Sequence, residues 1–241
     1  MREVFKAFLI TRTAAALSAA LLFGGCGGGS NIVTPTPGTP TLGFTEVEPA
    51  LTADNLRLFG ELEANVGASV GFVVLSNDSQ SLDTIDWQQT SGPAVDLLAA
   101  HTQAVGFDIP AAGSYEFTVT TTTTNGQQRS LNFSLNAEAT TEDNQANIRL
   151  DHMATERGRV SLRVDSPTAK IITDAQWEQL AGPEAEDIVY QEDSTGGPLQ
   201  SAFFAAPEVT QDEVMEFQVT LTFDDGTTAS DTVLVGINDA P

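Results

Sequence analysis

From about residue 45 onward, apolar residues recur at every second position in short runs, which is the period of strands that bury one face. Val70, Phe72 and Val74 mark one run, and Tyr115-Glu116-Phe117-Thr118-Val119 and Leu131-Asn132-Phe133-Ser134-Leu135 mark two more. Val160-Ser161-Leu162-Arg163-Val164 and Phe217-Gln218-Val219-Thr220-Leu221 repeat the pattern further along. The threonine-rich stretch Thr118–Thr124 favours extended chain, because β-branched side chains are stiff at χ1 and sit well on a pleated surface. Asn125-Gly126 and Asp225-Gly226 stand between alternating runs and predict hairpins closed by tight primed turns. No window beyond the first thirty residues carries a helical stripe. Short strands separated by Gly and Pro predict an all-β chain of antiparallel sandwiches with immunoglobulin-like architecture.

The chain also repeats itself. Trp87-Gln-Gln-Thr-Ser-Gly92-Pro93 returns as Trp177-Glu-Gln-Leu-Ala-Gly182-Pro183 at an offset of 90. Phe107-Asp-Ile-Pro110 returns as Phe204-Ala-Ala-Pro207 at 97, and Phe117-Thr-Val119 as Phe217-Gln-Val219 at 100. Order is kept while the offset only grows, as expected of two copies of one domain with loop insertions in the second. These motifs resemble the PKD-like domains of bacterial surface and exported proteins, in particular those carrying W-x-Q-x-x-GP. The resemblance covers about 45 to 241. It implies that Trp87 and Trp177 fill sandwich cores, where the alternation also places Phe117 and Phe217. It also implies that Gly92-Pro93 and Gly182-Pro183 are structural turns and not sites. The organisation read from the chain is sandwich one at 45–137, a linker at 138–146 and sandwich two at 147–241. Each tryptophan is expected to support its own half, with its loss leaving the other half's unfolding unchanged.

The first residues have a different character. Arg2, Lys6 and Arg12 precede an apolar run of eleven residues that stops at Gly24, about half the roughly 20 needed to span a hydrocarbon core. Residues 1–25 therefore read as an export signal. Leu22-Phe23-Gly24-Gly25-Cys26 resembles the lipobox of bacterial lipoproteins, which implies an acylated Cys26 at the mature N-terminus. Gly27, and not Asp, follows it, which in a two-membrane host implies the outer membrane. Residues 26–44 are rich in Gly, Thr and Pro and read as a tether, on the order of 50 Å if extended.

Composition narrows the function classes. Ten Lys+Arg against 33 Asp+Glu give a formal charge of −23, which removing residues 1–25 carries to −25, so nucleic acid is excluded as a partner. One cysteine excludes a disulfide framework and a Cys-based zinc site. For catalysis the only imidazoles are His101 and His152, and neither has a nucleophile motif nearby. No catalytic residue, metal site or cofactor is assigned. Calcium is weighed at Asp224-Asp225, at Glu138, Glu142 and Asp143, and at Asp187, Glu192 and Asp193, none of which forms a D-x-D-x-D loop with a closing acid. Sugar platforms need exposed rings. With 7% aromatics, mostly at core parity, only Phe44, Phe59, Tyr190 and Phe203 are left over, Tyr190 being the best candidate contact. The reading is a non-enzymatic, lipid-anchored envelope protein acting as spacer, adhesion or interaction scaffold. The alternative is a carbohydrate- or calcium-binding module.

Overall fold

The computed structural model describes residues 44–140, 146–148, 152–166, 170–191 and 201–239. Cys26, the signal segment and most of the tether lie outside the described residues, as do Glu142, Asp143, Glu192 and Asp193. Among the described residues every regular element is a strand. In the first half, β1 (Leu51–Ala53), β2 (Leu56–Phe59), β4 (Ser69–Ser76) and β6 (Ala104–Asp108) pair in that order. The facing sheet is β3 (Glu63–Asn65), β8 (Gln128–Glu138), β7 (Gly113–Thr123) and β5 (Leu82–Ser91). In the second half, one sheet runs β9 (Asn147–Ile148), β11 (Arg159–Asp165), β14 (Ser201–Ala205), β13 (Glu186–Gln191). Its partner runs β10 (His152–Thr155), β16 (Thr228–Asn238), β15 (Glu213–Phe223), β12 (Ile172–Ala181). The chain is all-β, with two tandem immunoglobulin-like sandwiches.

Pairing is antiparallel except at one edge of each sandwich. There β3 runs parallel to β8 and β10 runs parallel to β16. In each copy the chain leaves one sheet after β2 or β9 and continues as β3 or β10 beside the last strand of the other, covering an edge that would otherwise be open. Alternating residues fill each interior. Phe72, Trp87, Phe107, Tyr115, Phe117 and Phe133 cluster in sandwich one, and Val160, Leu162, Trp177, Phe204, Phe217 and Val219 in sandwich two. Tyr115 is fully buried, and its hydroxyl donates to the Ala111 carbonyl at 2.5 Å, an anchor that Met215 cannot supply in the second copy.

The hairpins differ from the sequence expectation. Gly126 and Gly226 have φ of +83° and +79°, but Asn125 and Asp225 are not in the left-handed region that a primed turn requires of both central residues. Instead, Thr123 N–H bonds the Gln127 carbonyl and Phe223 N–H bonds the Thr227 carbonyl, enclosing three-residue loops with glycine in the last place. The reason is local: the Asn125 and Asp225 side-chain oxygens accept the N–H two residues on, from Gln127 at 3.1 Å and Thr227 at 2.9 Å, which fixes a right-handed turn ahead of the glycine.

Candidate functional site

Two arrangements stand out from the residues upward: the corner built by W-x-Q-x-x-GP, and a seam between the sandwiches. Trp87 is 3% exposed, its indole N–H donates to the Thr102 carbonyl at 2.8 Å, and its ring meets Phe133 edge-on with centroids 6.1 Å apart. Trp177 holds the matching place in sandwich two at 9% exposure. Two residues on, Gln89 Nε2 donates to the Ser91 and Pro93 carbonyls at 3.0 and 2.7 Å while its Oε1 accepts Val95 N–H at 3.1 Å. Gln179 repeats all three bonds, to Ala181 and Pro183 at 3.1 and 2.8 Å and from Ala185 at 3.0 Å. A β-bulge falls at this place in both copies, between Gln89 and Ser91 and between Gln179 and Ala181, and the glutamine satisfies the backbone that the bulge releases. Gly92 and Gly182 follow with φ of +101° and +92°. A Cβ on Gly92 would meet the Ser114 carbonyl at 2.5 Å, and one on Gly182 the Val214 carbonyl, so both turn geometry and close approach require glycine. Pro93 and Pro183 receive the glutamine on their carbonyls. The corner is a structural clamp. Gln179→Leu is expected to cost about 1–3 kcal/mol in urea denaturation, because one N–H and two carbonyls lose their partner.

The seam is formed by outer sheet faces. Phe59, Val73, Leu75 and Ala104 on the β2-β4-β6 face of sandwich one pack with Ala181, Val214, Leu234 and Met153 on the β12-β15-β16-β10 face of sandwich two. Gly236 lets β16 approach, since Met153 and Val73 fill the space a Cβ would take. The two copies are dressed in opposite ways for this contact. Where sandwich two presents Ala181, Val214, Leu234, Gly236 and Met153, sandwich one has Ser91, Ser114, Ser134, Asn136 and Glu63. Where sandwich one presents Val73, Leu75 and Ala104, sandwich two has Arg163, Asp165 and Ser201. At these equivalent positions the copy that faces the seam is apolar or small and the other copy is polar. Phe59, without a core role in the alternation, is buried here at 2% exposure. Polar bonds rim the seam: Gln103 Nε2 to Asp212 Oδ2 at 3.3 Å, and Thr232 Oγ1 to Glu61 Oε1 at 3.3 Å.

The remaining sequence candidates are dispersed. His101 is exposed and contacts Asp86 at 3.2 Å. His152 and Tyr190 are placed on β10 and β13 by their backbones, and their side chains, like that of Asp187, lie outside what is described. Phe44 is 44% exposed, and Phe203 lies under the Arg159 guanidinium at 4.8 Å. Asp225 is held by Lys170 at 2.6 Å, and that hydrogen bond and those from Thr227 keep its carboxyl well below the usual range. Among the described residues no three His, Cys, Asp or Glu side chains converge as a metal site would need.

Two polar groups at inward parity, Arg129 buried and Asp231 half-buried, are not singled out by periodicity. Arg129, 1% exposed, holds Asp78 through Nη2 at 2.7 Å and donates through Nη1 to Ser76 and the Asn55 carbonyl, lowering the Asp78 pKa. Its only signal is a cation at inward parity with Leu131 and Phe133. Asp231 occupies in sandwich two the place of Leu131 in sandwich one. Burial pushes its carboxyl up from 3.8 to about 7, with Glu61 adding to the rise and the Ile148 and Thr232 N–H groups opposing it. The folded state therefore binds this proton more tightly than the unfolded chain. The resulting stabilisation is complete below about pH 3.8 and is lost as pH rises to about 7. Asp231→Asn is expected to remove a slope of up to about 1.4 kcal/mol per pH unit in that window, raising stability at pH 8 and leaving it nearly unchanged at pH 4. Urea titrations at the two pH values check this.

Residues 72–136, from β4 to β8, match the family described as K319L-like, PKD domain. Sandwich one contains a PKD-like domain. The match takes in Trp87, Gly92, Pro93 and Phe117 of that PKD-like unit. Among solved structures, the PKD domain from KIAA 1837 protein is similar at 19% identity, over 39% of this chain and 94% of that one, with a TM-score of 0.34. The fibronectin(III)-like modules of CbhA from Clostridium thermocellum match at 9% identity over 76% and 93%, TM-score 0.26. The tandem Ig repeats of Dlar match at 11% identity over 78% and 99%, TM-score 0.29. No curated protein matches the chain.

Proposed function

We propose that this protein is a non-enzymatic, lipid-anchored component of the bacterial cell envelope, carried on Cys26 at the outer membrane. Its two sandwiches act as one stiff scaffold for protein contacts. PKD-like and immunoglobulin-like domains are typically interaction or spacer modules, which supports the class. The observation that carries the reading is the seam: apolar faces packed against each other support reading the two sandwiches as a single body in place of a flexible string. A stiff body on a tether of about 50 Å can present loops and polar sheet faces at a set distance from its anchor. Its net charge, −25 once residues 1–25 are removed, keeps such a body off anionic lipid and away from nucleic acid.

The anchor and the scaffold are tested separately. Mature protein is expected to carry an acylated Cys26 by mass spectrometry, and Cys26→Ser is expected to release it from the membrane fraction. An unmodified thiol on membrane-free wild-type protein would overturn the anchor. Calcium titration is expected to leave the melting temperature unchanged, and a glycan array is expected to be silent. A calcium-linked rise or specific sugar binding would overturn the scaffold in favour of a ligand-binding module.

A further inference from the structure

We infer that residues 44–48 form a strap that fastens the two sandwiches together, so that the N-terminal segment is joined to the body at the seam and not at sandwich one alone. By connectivity this segment belongs to sandwich one, since it leads directly into β1. Its contacts say otherwise. The Thr45 carbonyl accepts the Gly182 N–H at 2.8 Å, so the segment caps the glycine-proline corner of sandwich two. Val47, 7% exposed, lies in the same apolar cluster as Ala181 and Val214 of sandwich two and Phe59 and Leu75 of sandwich one. Between these two contacts, Glu46 reaches back to sandwich one, with its Oε1 at 3.5 Å from Arg57 Nη1, and Arg57 in turn lies over the Phe59 ring at 5.6 Å from its centroid. Successive residues therefore grip sandwich two, sandwich one, and the apolar layer between them.

This arrangement has a direction. Lifting residues 44–48 away from the body unseats Val47, frees the Gly182 amide and opens the crevice bordered by Arg57, Phe59, Leu75, Glu213 and Val214. Anything that pulls on or occupies the chain just before Phe44 thus acts first on the seam, and neither sandwich core has to yield. Closure of the seam becomes a property that the N-terminal attachment can set. The inference rests on the geometry of residues 44–48 and holds whether or not Cys26 is acylated, so it stands or falls apart from the proposed anchoring.

Hydrogen–deuterium exchange on the full-length chain tests it, read on peptides spanning Gln179–Glu184 and on peptides from β7 and β15. Val47→Asp places a charge in the apolar layer and is expected to speed exchange at Gly182 at least tenfold, with β7 and β15 unchanged. Glu46→Lys, at an exposed position, turns the Arg57 contact into like-charge repulsion and is expected to speed Gly182 exchange two- to threefold. Wild-type exchange at Gly182 in both variants would overturn the strap. Faster exchange spread evenly over both sandwiches would do so too, because it would mark general loss of stability in place of release of one segment.

Discussion

Trp87→Ala is expected to lower stability by about 3–5 kcal/mol, the range for deleting a large buried aromatic side chain, and to shift the unfolding of both sandwiches. The local loss is large for three reasons. The indole fills the interior at 3% exposure, its N–H satisfies the Thr102 carbonyl, and its ring closes one side of the Phe72, Phe107, Phe117 and Phe133 cluster, whose neighbouring centroids lie 4.7–6.2 Å apart. The spread to sandwich two follows from the seam. Unfolding sandwich one strips Phe59, Val73 and Leu75 from Ala181, Val214 and Leu234, and each fully buried large apolar side chain re-exposed costs about 1.5–3 kcal/mol. The expectation that each half melts independently is therefore replaced by coupling. Calorimetry, and denaturant titration followed by the fluorescence of the remaining Trp177 in sandwich two, should show both halves moving together.

Val73→Arg is expected to open the seam and leave both sandwiches folded. Val73 is fully buried against Gly236, and a guanidinium there has no carboxylate partner among the residues of the shared apolar layer. Burying it unpaired would cost several kcal/mol, so separation of the faces is the cheaper outcome. Sandwich one should accept the residue, because Arg163 occupies the same outward position of β11 in the second copy. Small-angle scattering should report a larger radius of gyration, and calorimetry should resolve two transitions where the parent shows one. A compact variant with a single transition would show that the seam contributes little.

Much of the fold was legible because strands with one buried face write a period of two into the sequence, and because the same strands are written twice. The offsets of 90, 97 and 100 correspond to the strand pairs β5/β12, β6/β14 and β7/β15, and the growth between them falls in loops. Phe117 and Phe217 sit inward at the expected parity, and Gly92 and Gly182 turn the chain where the motif places them. The role of the motif glutamine was not legible. A glutamine after a core tryptophan reads as an outward polar position until the bulge turns it back on the Gly-Pro backbone. Asp231 was hidden for a related reason: one acid among 33 has no distinguishing mark until its parity in β16 is compared with Leu131.

The seam was half written. Phe72-Val73-Val74-Leu75 and Val233-Leu234-Val235 are apolar without alternation, as strands covered on both faces must be, and the two copies differ in polarity at equivalent outward positions. By itself, then, the sequence determined the sandwiches, their interiors and the existence of two extra apolar faces, because local periodicity and turn chemistry depend only on neighbours along the chain. Tertiary structure alone decided that those faces meet each other and that residues 44–48 cross between them. It also decided that Asp231 is buried deeply enough to hold its proton to about pH 7. Each of these depends on which surfaces come together in space, and a period along the chain carries no information about the partner on the far side of a sheet.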